Sequence, residues 1–213
     1  MTTDDHVVFI VDDDRRIREA LGELLEAHGM RAISFGSAGE YVGADKPDVS
    51  ACLILDVELP DINGLELQRQ IAEGDHPPIV FITGHGDIPS SVRAIKRGAV
   101  DFLTKPFSDT DVMAAVHTAI AEDRKKRSER AELGMLRQRY LELTTREREV
   151  LPLVVSGLLN KQAASELGIS EVTLQIHRRN VMQKMGAASL ADLVRTAERL
   201  EIPITHSRRA GGS

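Results

Sequence analysis

The chain has 213 residues, 42% apolar and 28% charged, with a net charge of −6. That composition fits a globular protein of one or two domains and excludes a disordered one. A single cysteine, Cys52, excludes an internal disulfide, while the acidic start MTTDDHVV and the want of an apolar run near ~18 residues argue against a signal peptide and a membrane span, so a cytoplasmic protein is expected.

The first half alternates strand and helix patterns. Val7–Val11, Ala51–Leu55 and Ile79–Ile82 are continuous apolar runs, as expected of strands buried on both faces. Arg31–Phe35 and Asp101–Thr104 are shorter candidates. Between them, Ile17, Leu21, Leu24 and Leu25 recur at helical spacing up to Gly29. Ser37-Ala-Gly-Glu40 has the form of a capping box before a short helix. Leu65, Leu67 and Ile71 predict a third helix, Val92 and Ile95 a fourth, and Val112, Val116 and Ile120 a fifth. Repeated strand–helix units predict a doubly wound, five-stranded parallel sheet.

Sites in such sheets form at the carboxyl ends of the strands. Here those ends carry Asp12-Asp13-Asp14, Asp56, Thr83 and Lys105. Clustered carboxylates raise one another's pKa unless a cation sits among them. An all-oxygen donor set with open positions suits Mg²⁺ (or Mn²⁺). A carboxylate can attack phosphorus, and a lysine and a hydroxyl are suitable partners for the phosphoryl oxygens. The bland alternative is that acids after strands merely cap helices.

The segments Ile10-Val-Asp-Asp-Asp14, Leu55-Asp-Val-Glu-Leu-Pro-Asp-Ile-Asn-Gly64, Ile82-Thr-Gly-His-Gly86 and Asp101-Phe-Leu-Thr-Lys-Pro-Phe107 resemble a response-regulator receiver domain, which has a flavodoxin-like fold. The resemblance implies Asp56 as phosphoacceptor, with Asp12, Asp13, Asp56 and the Glu58 backbone carbonyl as the metal site. It implies Thr83 and Lys105 as phosphoryl-binding groups, a cis bond before Pro106, and Phe102 as the switch aromatic, where many receivers have Tyr. The phosphoryl donor would be a partner histidine kinase, and the chain itself would not be an enzyme beyond possible self-dephosphorylation.

The middle of the chain reads as helix. Leu133, Leu136, Tyr140 and Leu143 follow helical spacing. An unbroken helix from Val112 to Leu143 would span ~48 Å. Its narrow stripe suits either a coiled-coil seam between two chains or a solvated linker bent at Gly134.

The remainder reads as four helices. Thr144-Thr-Arg-Glu147 opens one through Val150, Leu151, Val154 and Val155. A second carries Ala163, Ala164 and Leu167. Gly168-Ile-Ser170 then makes a turn into a third, Glu171 to Met185, and Ser189 caps a fourth with Leu190, Leu193 and Val194. Helix, glycine-containing turn and helix predict a helix-turn-helix. Leu174, Val181 and Met185 form its apolar stripe, which His177 continues. Gln175, Ile176, Arg179 and Gln183 lie on a different, mostly polar face, and the first three suit adenine, thymine methyl and guanine. Lys161, Thr173, Arg178 and Lys184 are candidates for phosphate contacts.

Leu143-Thr-Thr-Arg-Glu-Arg-Glu-Val150, Gly157-Leu-Leu-Asn-Lys161, Leu167-Gly-Ile-Ser170 and His177-Arg-Arg-Asn-Val-Met-Gln-Lys-Met185 resemble the LuxR-type DNA-binding domain. Receiver plus this domain is the architecture of the NarL/FixJ response regulators, and Thr83-Gly-His-Gly-Asp87 is closer to the FixJ side. Many relatives have Val-Lys where this chain has Leu174-Gln175.

The expected organisation is a receiver at 1–121, a helical linker at 122–140, an all-α four-helix domain at 141–203 and a flexible tail at 204–213. Charge agrees with a division: residues 1–123 hold 23 acids and 10 bases, net −13, and residues 124–213 hold 10 acids and 17 bases, net +7. The expected function is phosphorylation-controlled binding of double-stranded promoter DNA as a homodimer, activating transcription with RNA polymerase, with no membrane partner. The competing readings are a phosphoryl sink or protein-interaction module, and, more weakly, a phosphatase-like enzyme. Steep salt dependence would mark the DNA binder.

Overall fold

In a computed structural model, residues 6–72, 74–84 and 88–203 are described. Two compact units divide the chain, Met1–Arg127 and Ser128–Ser213. The predicted tail at 204–213 and the segment His85–Asp87 lie outside the described residues.

Five parallel strands, β1 (His6–Val11), β2 (Arg31–Phe35), β3 (Ser50–Asp56), β4 (Ile79–Thr83) and β5 (Asp101–Thr104), pair in the order β2-β1-β3-β4-β5. The helices between them are α1 (Arg15–Ala27), α2 (Ala38–Gly43), α3 (Gly64–Ile71) and α4 (Ile88–Lys96), with α5 (Asp109–Leu141) after the last strand. Strand alternation builds two cores. Val8, Ile10, Cys52, Ile54, Val80 and Ile82 face α1 and α5 through Leu21, Leu25, Val112, Val116 and Ile120. Val7, Phe9, Leu53, Leu55 and Phe81 face the other way, toward Tyr41, Leu67 and Ala94. Both faces are covered, which is why the three central strands β1, β3 and β4 read as unbroken apolar runs, while the edge strands β2 and β5 do not.

The helix at α4 is present, but its buried side differs from the expected one. Val92 and Ile95 are 44% and 46% exposed, while Ala94 is buried. The helix has only nine residues and packs through a small side chain, which apolar spacing does not detect. The box at Ser37 is also altered. Ser37 Oγ accepts from the Glu40 N–H, while the Glu40 carboxylate reaches one residue further back, to the Gly36 N–H.

The second unit packs α6 (Thr145–Val155), α7 (Asn160–Leu167), α8 (Glu171–Met185) and α9 (Leu190–Arg199) around Val150, Leu151, Val154, Leu174, Val181, Met185 and Leu193. Thr144 and Glu147 close a reciprocal capping box. Gly168 ends α7 in the left-handed region, φ 65°, where a side chain would be strained. Ser170 caps α8 two residues later, its hydroxyl accepting from the Thr173 N–H.

The helix α5 continues through Gly134. Of the four-residue stripe read as a seam or a bent linker, Leu143 is buried in the second unit's core and Tyr140 packs against it. Those two side chains are therefore committed within their own chain.

Candidate functional sites

The first site is assembled at the carboxyl ends of β1, β3, β4 and β5. Asp12 follows β1 and is fully buried, Asp13 is exposed, and Asp14 leaves the cluster to cap α1 by accepting from the Arg16 N–H at 2.8 Å. Asp56 ends β3 and is also buried. Lys105 follows β5 and bridges the two buried acids: its Nζ donates to Asp12 Oδ2 at 2.7 Å and to Asp56 Oδ2 at 2.6 Å. The second oxygens accept backbone N–H groups, Asp12 Oδ1 from Asp14 at 2.8 Å and Asp56 Oδ1 from Glu58 at 3.0 Å. One oxygen each from Asp12, Asp13 and Asp56 lie within 4.8 Å of one another.

Electrostatics follow from that packing. Burial is the largest effect on Asp12 and pushes its pKa up, with the Asp56 charge adding to it. Burial works against the Lys105 charge as well, but hydrogen bonds to Asp12 and Asp56 outweigh it and hold the ammonium's pKa above its ordinary value. Lys105 pairs with two of the three clustered carboxylates, so the cluster has an excess of negative charge. Hard oxygen donors with an unbalanced charge fit a divalent cation such as Mg²⁺.

Other candidates fall around this cluster. Thr83 is buried at the end of β4, and its carbonyl accepts from the Lys105 N–H at 2.7 Å. The Lys105–Pro106 peptide is cis. Phe102 is half-buried, its ring centroid 6.0 Å from that of Phe81. Gly64, which opens α3, passes against the back of the acid strand: a Cβ there would lie 2.2 Å from the Asp56 carbonyl oxygen, so only glycine fits.

Two residues that sequence reasoning missed support the loops. Arg18 on α1 donates from Nη1 to the Asp12 and Asp13 carbonyls, at 2.6 and 3.0 Å, fixing the backbone that carries both acids. Asp61 accepts from the N–H groups of Gly39 and Ile62, at 2.9 and 3.1 Å, and these bonds keep its carboxyl below its ordinary pKa, the Gly39 bond most of all. Arg18 could have been suspected only from lying one helical turn after Asp14. Nothing local marks Asp61.

The second site is the outer side of α8. Gln175, Ile176 and Arg179 are exposed, while Leu174, Val181 and Met185 are buried on the opposite side. Lys161 on α7 is exposed. The Thr173 hydroxyl is shared with Ser170 Oγ at 2.7 Å.

Three of the four residues expected to meet phosphates have internal partners: Thr173, through Ser170, Arg178 and Lys184. Arg178 is half-buried and donates to Asn160 Oδ1 at 2.9 Å, tying α8 to the start of α7. Lys184 donates to Glu147 Oε2 at 2.7 Å and to the Glu142 carbonyl at 3.2 Å. Glu147 is buried, and although burial opposes its charge, the Lys184 and Thr144 hydrogen bonds bring its pKa down to about 2. A lysine engaged with a buried carboxylate is a poor candidate for a phosphate. His177 is half-buried with an unpartnered, buried Nδ1, which sets it on the core side of the helix.

No helix of the described residues is long and apolar enough to cross a membrane.

Comparison with known proteins accounts for both units. Residues 8–117 match the model of the response regulator receiver domain, and residues 141–197 match that of bacterial regulatory proteins of the luxR family. Nodulation protein W of Bradyrhizobium diazoefficiens is 47% identical over 204 residues, covering 95% of this chain and 90% of that protein. The transcriptional regulatory protein FixJ of Azorhizobium caulinodans is 44% identical over 194 residues, covering 89% and 90%. Among solved structures, that of the response regulator StyR superposes with a TM-score of 0.80 at 44% identity, covering 91% of this chain and 98% of that one.

Proposed function

The chain belongs to the NarL/FixJ family of two-component response regulators, with a receiver and a luxR-type DNA-binding domain, and from that premise we propose how its two sites carry out phosphorylation-controlled transcription. The observation that carries the reading is the Lys105 bridge between Asp12 and Asp56 at converging strand ends.

Asp56 is the phosphoacceptor. A carboxylate oxygen attacks phosphorus of a phosphohistidine on a partner kinase, forming a P–O bond as the P–N bond to imidazole breaks. Asp12, Asp13 and Asp56, with the Glu58 backbone carbonyl, hold Mg²⁺ (or Mn²⁺), which when bound neutralises charge on the phosphoryl oxygens. Lys105 exchanges its Asp56 oxygen for a phosphoryl oxygen, and the Thr83 hydroxyl donates to another. The chain is the substrate of this transfer and has no turnover of its own beyond self-dephosphorylation.

The pull on Thr83 and Lys105 shifts an existing equilibrium of the receiver, with Phe102 moving as Thr83 moves. Phosphorylated receivers form a homodimer. Two copies of α8 then enter major grooves of a promoter about one turn (~34–36 Å) apart. Gln175, Ile176 and Arg179 read bases, while Lys161 and Thr173 meet phosphates. The bound dimer activates transcription through RNA polymerase in the cytoplasm. A transcriptional regulatory protein among the relatives supports a role in transcription.

Dimerisation and selection of duplexes from a random library, each measured with and without beryllofluoride and Mg²⁺, test it. The wild type should dimerise and select a two-half-site sequence only with both additions, and Asp56→Asn should do neither. An Asp56→Asn chain that responds like the wild type sinks the phosphoacceptor assignment.

A further inference from the structure

The face of α8 given to base reading carries Gln183 as a further exposed polar residue and, nearer its start, an exposed apolar one. Val172 is the second residue of the helix and is 67% exposed, and Ile176, one turn on, is 56% exposed. At about 100° per residue, positions 172, 175, 176 and 179 fall within a sector of about 100°. Leu174, Val181 and Met185 occupy the opposite side and are buried. Val172 therefore lies on the sector of Gln175, Ile176 and Arg179.

A single exposed valine needs no explanation. An aligned pair of β-branched residues differs. Valine and isoleucine are poorer helix formers than Lys, Gln or Glu, and exposed they gain nothing from burial. On this helix they form an apolar strip flanked by one amide and one guanidinium.

The chemistry of the flanks selects the occupant. The exposed Arg179 and Lys161 and the net +7 of residues 124–213 favour a polyanion. The apolar group that the major-groove edge of DNA presents is the thymine 5-methyl. In a helix-turn-helix the N-terminal residues of the second helix meet the base edges, and Val172 is nearer that end than the three residues already assigned.

We propose that Val172 is a further specificity-determining residue, whose side chain packs on a thymine methyl group one turn N-terminal to the one met by Ile176. This rests on the DNA-reading role given to α8 above. It differs from Gln175 and Arg179 in kind. Those residues distinguish bases by hydrogen bonds, and Val172 distinguishes them by an apolar contact that cytosine and uracil cannot supply.

The test deletes the methyl group from either partner. The full-length chain, with beryllofluoride and Mg²⁺, first selects duplexes from a random library. Affinities are then measured for the selected duplex with each thymine replaced singly by deoxyuridine, which removes the 5-methyl and keeps the hydrogen-bonding edge. The wild type should lose about fourfold at a thymine met by Val172, the size expected for one buried methyl group. Val172→Ala should show no loss at that thymine while still responding at the one met by Ile176, and Ile176→Ala should show the reverse. Val172→Ile should retain the response. Alanine favours helix, so these variants test contact and leave folding intact. Equal responses of wild type and Val172→Ala at every thymine overturn the assignment, as does a selected site with no thymine where Val172 reaches. In both cases selective DNA binding itself stands. Failure to select any duplex sinks the role of α8 and this inference together.

Discussion

Both units bury charged side chains, with opposite bookkeeping. In the first, Asp12 and Asp56 are buried beside Asp13, and Lys105 is the ammonium between the two buried acids. In the second, Glu147 is buried against Lys184 one to one, and its remaining demand is met by the Thr144 N–H. The first cluster is left with surplus anion and Asp12 pushed up in pKa; the second is balanced, with Glu147 pushed down. A buried charge is thus no mark of function by itself. Convergence of like charges without enough counter-charge points to chemistry, and a satisfied pair points to architecture. The reading surface of the second unit lies elsewhere, on side chains that face water.

The sharpest way to break this contrast is to neutralise one charge in each cluster. Asp12→Asn should cut Mg²⁺-dependent phosphorylation from acetyl phosphate by more than the ~10–100-fold that residues one shell out from a metal typically cost. Its thermal midpoint should hold or rise, because a carboxylate that burial disfavours has been removed. Phosphate-affinity gels and a melting curve read the two results, and a large fall in stability would show that the acids hold the fold together. Lys184→Ala should do the reverse. Leaving Glu147 buried without its ammonium should cost about 1–3 kcal/mol in urea unfolding, with phosphorylation unchanged. No loss of stability would make Lys184 available to phosphates after all.

The smallest expected effect is in acid. Glu147 has a folded pKa of about 2 against an ordinary 4.5. Its contribution is therefore present above pH 4.5 and is lost as pH falls toward about 2. Glu147→Gln should flatten that part of the stability curve relative to wild type, measured by unfolding at fixed pH steps. Parallel curves would mean the pair is not what stabilises α6 against α8.

Most of the first unit could be read because its three central strands, β1, β3 and β4, are buried on both faces and four of the five strands lead into a candidate residue. The apolar run fixes the strand, and the next letter names the candidate. Asp12, Asp56, Thr83 and Lys105 were all found in this way. Arg18 and Asp61 were not, since they act on backbone atoms, Asp61 across the fold at Gly39, and carry no periodic signal. The second unit shows the converse limit. Periodicity placed Lys184 off the apolar stripe of α8, which is correct, but its partner Glu147 lies on another helix, 37 positions earlier. Val172 was passed over because an isolated valine in a sequence reads as core. Only its exposure in the folded unit, beside that of Ile176, moves it to the outer face.

Cys52 sits in the middle of β3 with no exposed surface, and burial drives its thiol pKa upward. It is the chain's single cysteine, and the second unit has none. A thiol reagent can reach it only when the sheet opens. The labelling rate under native conditions therefore serves as a built-in clock for opening of the first unit alone, with no probe to engineer and no signal from the helical half. Slower labelling with beryllofluoride and Mg²⁺ bound would give, from one sulfur atom, the free energy by which the activated state tightens the sheet.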